Sequence, residues 1–256
     1  MERVFFKNGR RRLAGIIHTP DNILENEKIP CIIVSHGLTS NKENKEEWAN
    51  RFNLSGFAVL LFDFSGHGES DGKFENMTIK HYESDLKAAI KYVRSLDYID
   101  PDKIGLTGHS LGGSLSMIAA SNDKKIKSVA AVSPTTDWKG VFEIYDKLGA
   151  VNIKEWKKKG YIMFKTKKLR YGFYKEAVKV KFDKIVKRIK CSALIIHGEN
   201  DGVVPVSQSK NIIEMMNEPK KLIILKYVGH YFVNPKELDT LKNLTQEWFQ
   251  EHMKIN

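Results

Sequence analysis

The chain has 256 residues, 41% of them hydrophobic and 29% charged, with 42 Lys or Arg against 31 Asp or Glu for a net charge of +11. This is the balance of a globular protein with one sizeable core, not of a disordered or membrane-embedded chain. The longest apolar runs, such as AVLLF at 58–62, are strand-sized and far short of the roughly 20 residues of a membrane helix.

The opening segment VFFKNGRRRLAGIIH contains two extended runs around Asn8-Gly9, a dipeptide favoured in tight hairpins because both positions tolerate positive φ, so an antiparallel pair is predicted here. It also lacks the apolar stretch of about 7 to 15 residues and the small-residue cleavage site of a secretory signal, and a cytoplasmic location is expected. IPCIIVSHG, GFAVLLFDFSGHG, DKIGLTGHS, IKSVAAVSP, CSALIIHGEND and KKLIILKYVGH follow, each a short apolar run that ends in Gly, Ser, Asp or His. Between them, helical spacing is predicted over about 78–96, after Ser110, over about 207–216 and over 235–253. Continuous apolar strands alternating with helices describe a mostly parallel sheet covered on both faces. Cys31 and Cys191, the only cysteines, both begin such runs and are expected as buried thiols, too few for a disulfide framework or a cysteine zinc site.

The interval from about 134 to 190 breaks the rhythm and is too long for an ordinary connection. Trp138, Phe142, Tyr145, Trp156, Phe164 and Phe173 are dispersed there among many lysines. From Lys154 to Lys190 there are 15 basic and 3 acidic residues, a net +12, which leaves 27 basic and 28 acidic residues elsewhere. The basic excess is therefore local, and a nucleic-acid partner is not expected. We divide the chain into a core of residues 1–133 and 191–256 and an inserted cap of short helices over 134–190.

In a parallel sheet, side chains that can meet over a ligand lie beyond the carboxyl ends of the strands. Those ends carry SHG at 35–37, Ser110 within GHSLGG, HGEND at 197–201 and GHY at 229–231. A serine hydroxyl is a weak nucleophile that needs a base, and the base needs a third group to hold its tautomer. His230 and Asp201 fit those two roles. Gly108 and Gly112 flank the serine at two residues on either side, where larger side chains would collide with a turn sharp enough to lift the hydroxyl above the sheet.

With HGLTSNK, FDFSGHGESDG, GHSLGG, HGENDGVVP and VGHYF in this order and spacing, the sequence resembles the α/β-hydrolase family over nearly its whole length. It looks most like compact esterases of the monoacylglycerol-lipase and cinnamoyl (feruloyl) esterase type. The resemblance implies an α/β-hydrolase fold with a mostly parallel eight-stranded sheet, helices on both faces and a small helical cap inserted after the sixth strand. It implies Ser110 as nucleophile, Asp201 as acid, His230 as base, and the backbone N–H groups of Leu38 and Leu111 as an oxyanion hole. The activity implied is cleavage of a small-molecule carboxylic ester without a cofactor. Peptide, thioester and lysophospholipid hydrolysis share the same three residues, and a homo-oligomer is compatible with all of them. The segment after VSPTTDW is short and basic, a departure from the family pattern, so no relative's substrate is carried over.

Competing readings are blander. The cap aromatics form its own core by default and the lysines its solvated face; the sharper expectation is that Trp138, Phe142 and Trp156 line a substrate pocket while lysines attract anionic substrates. His36 and His109 are read as local hydrogen-bonding groups, His197 as a brace for the acid loop, and His18, His67, His81 and His252 as lacking a consistent partner set. GHGESDGK at 66–73 lacks the spacing of a phosphate loop and carries Glu69 and Asp71, so it is read as a tight structural turn. No HExxH or paired-cysteine spacing occurs, and no metal is expected.

Overall fold

The computed structural model describes residues 1–21, 23 and 27–253. Among the described residues ten strands, β1 (Glu2–Asn8), β2 (Arg11–His18), β3 (Ile29–Ser35), β4 (Ala58–Phe62), β5 (Ile99–His109), β6 (Ile126–Val132), β7 (Tyr161–Phe164), β8 (Lys167–Arg170), β9 (Ser192–Gly198) and β10 (Lys220–Leu225), form two sheets. Eight of them make one sheet in the order β1-β2-β4-β3-β5-β6-β9-β10, while β7 and β8 pair with each other. Pairing is antiparallel from β1 to β2 and β2 to β4, and parallel across the rest of the large sheet. The predicted hairpin is present, but only Gly9 takes a positive φ, of 60°, because the register Asn8↔Arg11 makes Gly9 and Arg10 the two loop residues.

The apolar runs are continuous because both faces of the sheet are buried. Along β3, Cys31 and Ile33 join one core while Ile32 and Val34 join the other, and β4, β6 and β9 alternate in the same way, as the two-residue period of a strand requires. The first face is covered by α2 (Ile79–Arg94), through Leu86, Ala89, Ile90 and Val93, and by α3 (Leu111–Asn122). The second is covered by α1 (Glu46–Asn53), through Trp48 and Phe52, and by α9 (Pro235–Met253), through Leu241, Trp248 and Phe249. The third predicted helix is shorter than its periodic pattern, as α8 (Ser207–Ile213) stops before Met216. Both cysteines are free; Cys31 is buried, whereas Cys191 is only partly so.

Residues 134–190 lie between β6 and β9 and hold α4 (Trp138–Lys147), α5 (Ile153–Lys159), α6 (Tyr171–Ala177) and α7 (Phe182–Val186). The sequence reading missed the β7–β8 hairpin among them. Its loop is Lys165-Thr166, with Lys165 itself at φ 53°, so none of the usual Gly, Asn or Asp turn signals marks it.

One buried ionic cluster ties the loop after β3 to the turn after β4. Lys42 Nζ lies 2.8 Å from Asp63 and 2.6 Å from Glu69, and the Lys42 amide donates to Asp63 at 2.8 Å. Lys42 is 2% exposed and Asp63 fully buried, so removing the cation leaves a carboxylate without its counter-charge in the interior. Lys42→Met is expected to cost about 3–5 kcal/mol, read as a lower urea midpoint at unchanged slope. An unchanged midpoint would show that water reaches Asp63.

Candidate functional site

Ser110 sits between β5 and α3 with φ 55° and ψ −116°. A positive φ is costly for a residue with a side chain, and the surroundings must impose it. The Ser110 amide donates to the Val132 carbonyl at 2.8 Å, and the Ser110 carbonyl accepts from the Ser114 amide at 3.0 Å, so the turn is held at both ends. The glycines around it are dictated by backbone proximity. A Cβ on Gly112 would lie 2.3 Å from the Ser35 carbonyl oxygen, and one on Gly108 would lie 2.5 Å from the Gly112 carbonyl carbon. Neither clash can be relieved by a side-chain rotation, because the obstructing atoms are backbone.

His230 follows β10 and Asp201 follows β9. His230 Nδ1 lies 2.7 Å from Asp201 Oδ2, so Nδ1–H donates to the carboxylate and leaves Nε2 as the acceptor of the neutral ring. The other carboxylate oxygen accepts the amides of Val203 at 2.9 Å and Val204 at 2.7 Å. His197 braces the same group: its Nε2 lies 3.2 Å from Asp201 Oδ2 and 3.0 Å from the Val204 carbonyl, while Nδ1 lies 2.7 Å from Ser209 Oγ. Two acceptors at Nε2 place the proton there and make Nδ1 accept from the serine hydroxyl. Burial alone raises the Asp201 carboxyl, but the hydrogen bonds from His197 and His230, the charge of His230 and the Val204 amide outweigh it and hold the group well below the usual carboxylate range. A depressed acid stabilises the fold fully above its unfolded pKa of about 3.9. That contribution is lost as pH falls through the folded value, so acid unfolding of the parent is expected to set in below about pH 4 for this group. In Asp201→Asn this part of the acid dependence should be missing from an equilibrium titration.

Ser110 and His230 border the same cavity of about 410 Å3, together with Leu38 and Leu111. Among the described residues, neither Ser110 Oγ nor His230 Nε2 makes a hydrogen bond, while His230 Nδ1 is held by Asp201 and the His230 carbonyl lies 2.7 Å from His109 Nε2. Leu111 is the first residue of α3, where the N–H has no acceptor within the helix. The Leu38 N–H belongs to the Gly37–Leu38 peptide, and His36 fixes that plane from behind: its Nδ1 lies 2.8 Å from the Gly37 carbonyl, and its Nε2 accepts from the Phe64 amide at 3.1 Å. Burial, then the nearby His67 and Lys45 charges, pushes the His36 ring well below the ordinary histidine pKa and keeps it neutral. His67 grips the next peptide, its Nε2 lying 2.6 Å from the Leu38 carbonyl. Sequence reasoning assigned His67 no partner set, because its acceptor is 29 residues away in the chain and only the tight turn at 66–73, with Gly66, Gly68 and Gly72 all at positive φ, brings them together.

The aromatic expectations divide. Trp138 and Phe142 line the cavity. Trp156 does not: it is fully buried behind that wall, edge-on to Phe142 with ring centres 5.3 Å apart, and its Nε1 donates to the Leu169 carbonyl at 3.0 Å. Its N–H thus finds an internal acceptor, which suits a core position, whereas Trp138 Nε1 has none among the described residues. Tyr145, Met163 and Phe164 border the cavity in its stead, the last two supplied by the hairpin that the sequence did not reveal.

Among the described residues no group of three or more His, Cys, Asp or Glu is arranged to hold a metal ion, and no helix is long and apolar enough to cross a membrane.

In overall structure the chain is similar to the ferulic-acid-bound Est1E of Butyrivibrio proteoclasticus, at TM-score 0.81 and 24% identity over 98% of this chain and 100% of that one. It is equally similar to the α/β hydrolase GrgF of Penicillium sp. sh18, at TM-score 0.82 and 22% identity over 99% of both chains. At these identities the likeness establishes the fold. Among curated proteins it is 38% identical over 110 residues to the quorum-quenching protein AidA of Acinetobacter baumannii, covering 42% of this chain and 36% of that protein. It is 34% identical over 107 residues to the thiohydrolase aneE of Aspergillus aculeatus, covering 41% of this chain and 34% of that one. The alignments thus span about a third of the length of these curated relatives. The model of the prolyl oligopeptidase family matches residues 47–256, which include most strands of the large sheet and the segments that carry Ser110, Asp201 and His230, and the chain belongs to that family of α/β hydrolases.

Proposed function

We propose that the chain hydrolyses small carboxylic esters through an acyl-enzyme, with Ser110 as nucleophile, His230 as base and Asp201 as the acid that holds it. The observation that carries this reading is a hydroxyl on a strained turn and an aspartate-anchored imidazole bordering one cavity. Ser110 Oγ attacks the ester carbonyl while His230 Nε2 takes its proton. The carbonyl oxygen, now an anion, rests on the Leu38 and Leu111 amides, and loss of one such donor typically costs roughly 3 kcal/mol of transition-state stabilisation. The imidazolium then protonates the departing alcohol, and water, activated by the same nitrogen, releases the acid and frees the serine.

Residues 134–190 act in this scheme as the cap: Trp138 and Phe142 furnish the apolar wall against which the substrate lies. A cavity of about 410 Å3 suits a small molecule, which favours an ester over a polypeptide. A peptide bond is the second reading, favoured by the name of the matched family, and a thioester follows the thiohydrolase relative.

The reading is tested with a panel of p-nitrophenyl esters of increasing chain length, methyl ferulate, an acyl thioester and a peptide amide. The esters are expected to be cleaved with the highest kcat/KM. Faster cleavage of the amide or the thioester would replace the ester assignment while keeping the three residues.

A further inference from the structure

Among the described residues, the cavity beside Ser110 has two charged side chains on its wall, Lys45 and Lys165, and no carboxylate. They come from different parts of the fold. Lys45 ends the short 3-10 turn Glu43–Lys45 that leads into α1, and Lys165 belongs to the tip of the β7–β8 hairpin. Among the described residues the Lys45 ammonium has no hydrogen-bond or ion-pair partner. Burial unrelieved by any anion pulls its pKa down to about 8, and its charge is felt at both His36 and His109. Lys165 Nζ lies 3.3 Å from Thr39 Oγ1 and 5.2 Å from the centre of the Tyr231 ring, again with no carboxylate partner among the described residues.

Arg11 and Arg94, two other half-buried cations, face Asp85 and Asp123. An unpaired ammonium on a largely apolar wall is unfavourable in the empty protein, and among the described residues the fold holds Lys45 there without an internal counter-charge. An anion entering with the substrate would supply it, and Thr39 and Ser40, which also border the cavity, offer hydroxyl donors for the same group.

We infer that the preferred substrate is an ester that carries an anionic group, a carboxylate or its equivalent, received between Lys45 and Lys165. This inference rests on the serine-hydrolase reading and specifies the substrate class of that site. Lys45 was invisible to the sequence reading, which assigned the basic character to the cap; Lys45 lies outside it.

The test compares kcat/KM within two matched pairs at low ionic strength. In the first, p-nitrophenyl hydrogen adipate against p-nitrophenyl heptanoate, the charge is on the acyl side. In the second, 3-(butanoyloxy)benzoate against phenyl butanoate, it is on the alcohol side. The anionic member of one pair is expected to be preferred at least about tenfold, the size of one charge-assisted hydrogen bond, with the preference shrinking as salt rises. In Lys45→Met the ratio should fall towards one, and in the double variant with Lys165→Met it should reach it, with circular dichroism unchanged. Equal rates within both pairs in the parent enzyme would overturn the inference while leaving ester hydrolysis intact, as would a preference that survives the double variant. Failure to cleave any of the four esters would instead sink the hydrolase reading, and this inference with it.

Discussion

Replacing Ser110 with alanine is expected to lower ester turnover about a million-fold, the loss seen when the nucleophile of a serine, histidine and aspartate unit is removed. The residual rate would come from the cavity and the two amides alone. The substitution deletes one oxygen from a half-buried side chain that makes no hydrogen bond among the described residues, so nothing in the fold depends on it. The strained φ of 55° is imposed by the backbone bonds to Val132 and Ser114, which alanine retains. Unfolding midpoint and near-ultraviolet circular dichroism should therefore match the parent. Hydrolysis of p-nitrophenyl butyrate at the parent rate would remove Ser110 from the chemistry.

Asp201→Asn should lower turnover about ten-thousand-fold, for a reason visible in the bonding. Asp201 receives donors on both oxygens: His230 and His197 on Oδ2, and the Val203 and Val204 amides on Oδ1. An asparagine carries one acceptor and one donor. If its NH2 faces the histidines, His230 must turn Nδ1 into an acceptor, which puts the ring proton on Nε2, where the Ser110 proton should go. If the NH2 faces the amides instead, the buried Val204 N–H and the half-buried Val203 N–H lose their acceptor, at a cost of about 1–3 kcal/mol for the buried one. Either orientation harms the site, the first through rate and the second through stability. Full activity with full stability in this variant would mean that the carboxylate neither orients His230 nor carries its charge.

The parts of the fold legible in the sequence are those where one physical requirement leaves one pattern. Ile32, Leu60, Ala130 and Ile196 are buried on one face or the other of a two-sided sheet, so their strands read as unbroken apolar runs. Each run ends at the sheet rim, where Ser110, Asp201 and His230 follow. Gly108 and Gly112 were legible for a similar reason: backbone atoms occupy the space a side chain would need. What escaped depends on partners distant in sequence. Trp138 and Trp156 are both buried aromatics of the inserted segment, and only tertiary packing decides that the first faces the cavity and the second faces Leu169. His67 looked idle because its acceptor belongs to the loop after β3. The β7–β8 hairpin turns through Lys165 and Thr166, residues that carry no turn preference, and with it went the view of Met163, Phe164 and Lys165 at the cavity.

The claim that unites these observations is that Ser110 is activated by His230. Its most direct test is covalent labelling with a fluorophosphonate, followed by intact mass and peptide mapping. A single adduct on Ser110 is predicted, formed rapidly in the parent and lost when His230 is replaced by alanine. Absence of an adduct on the folded parent protein, or a stoichiometric adduct on any other residue, would contradict the account.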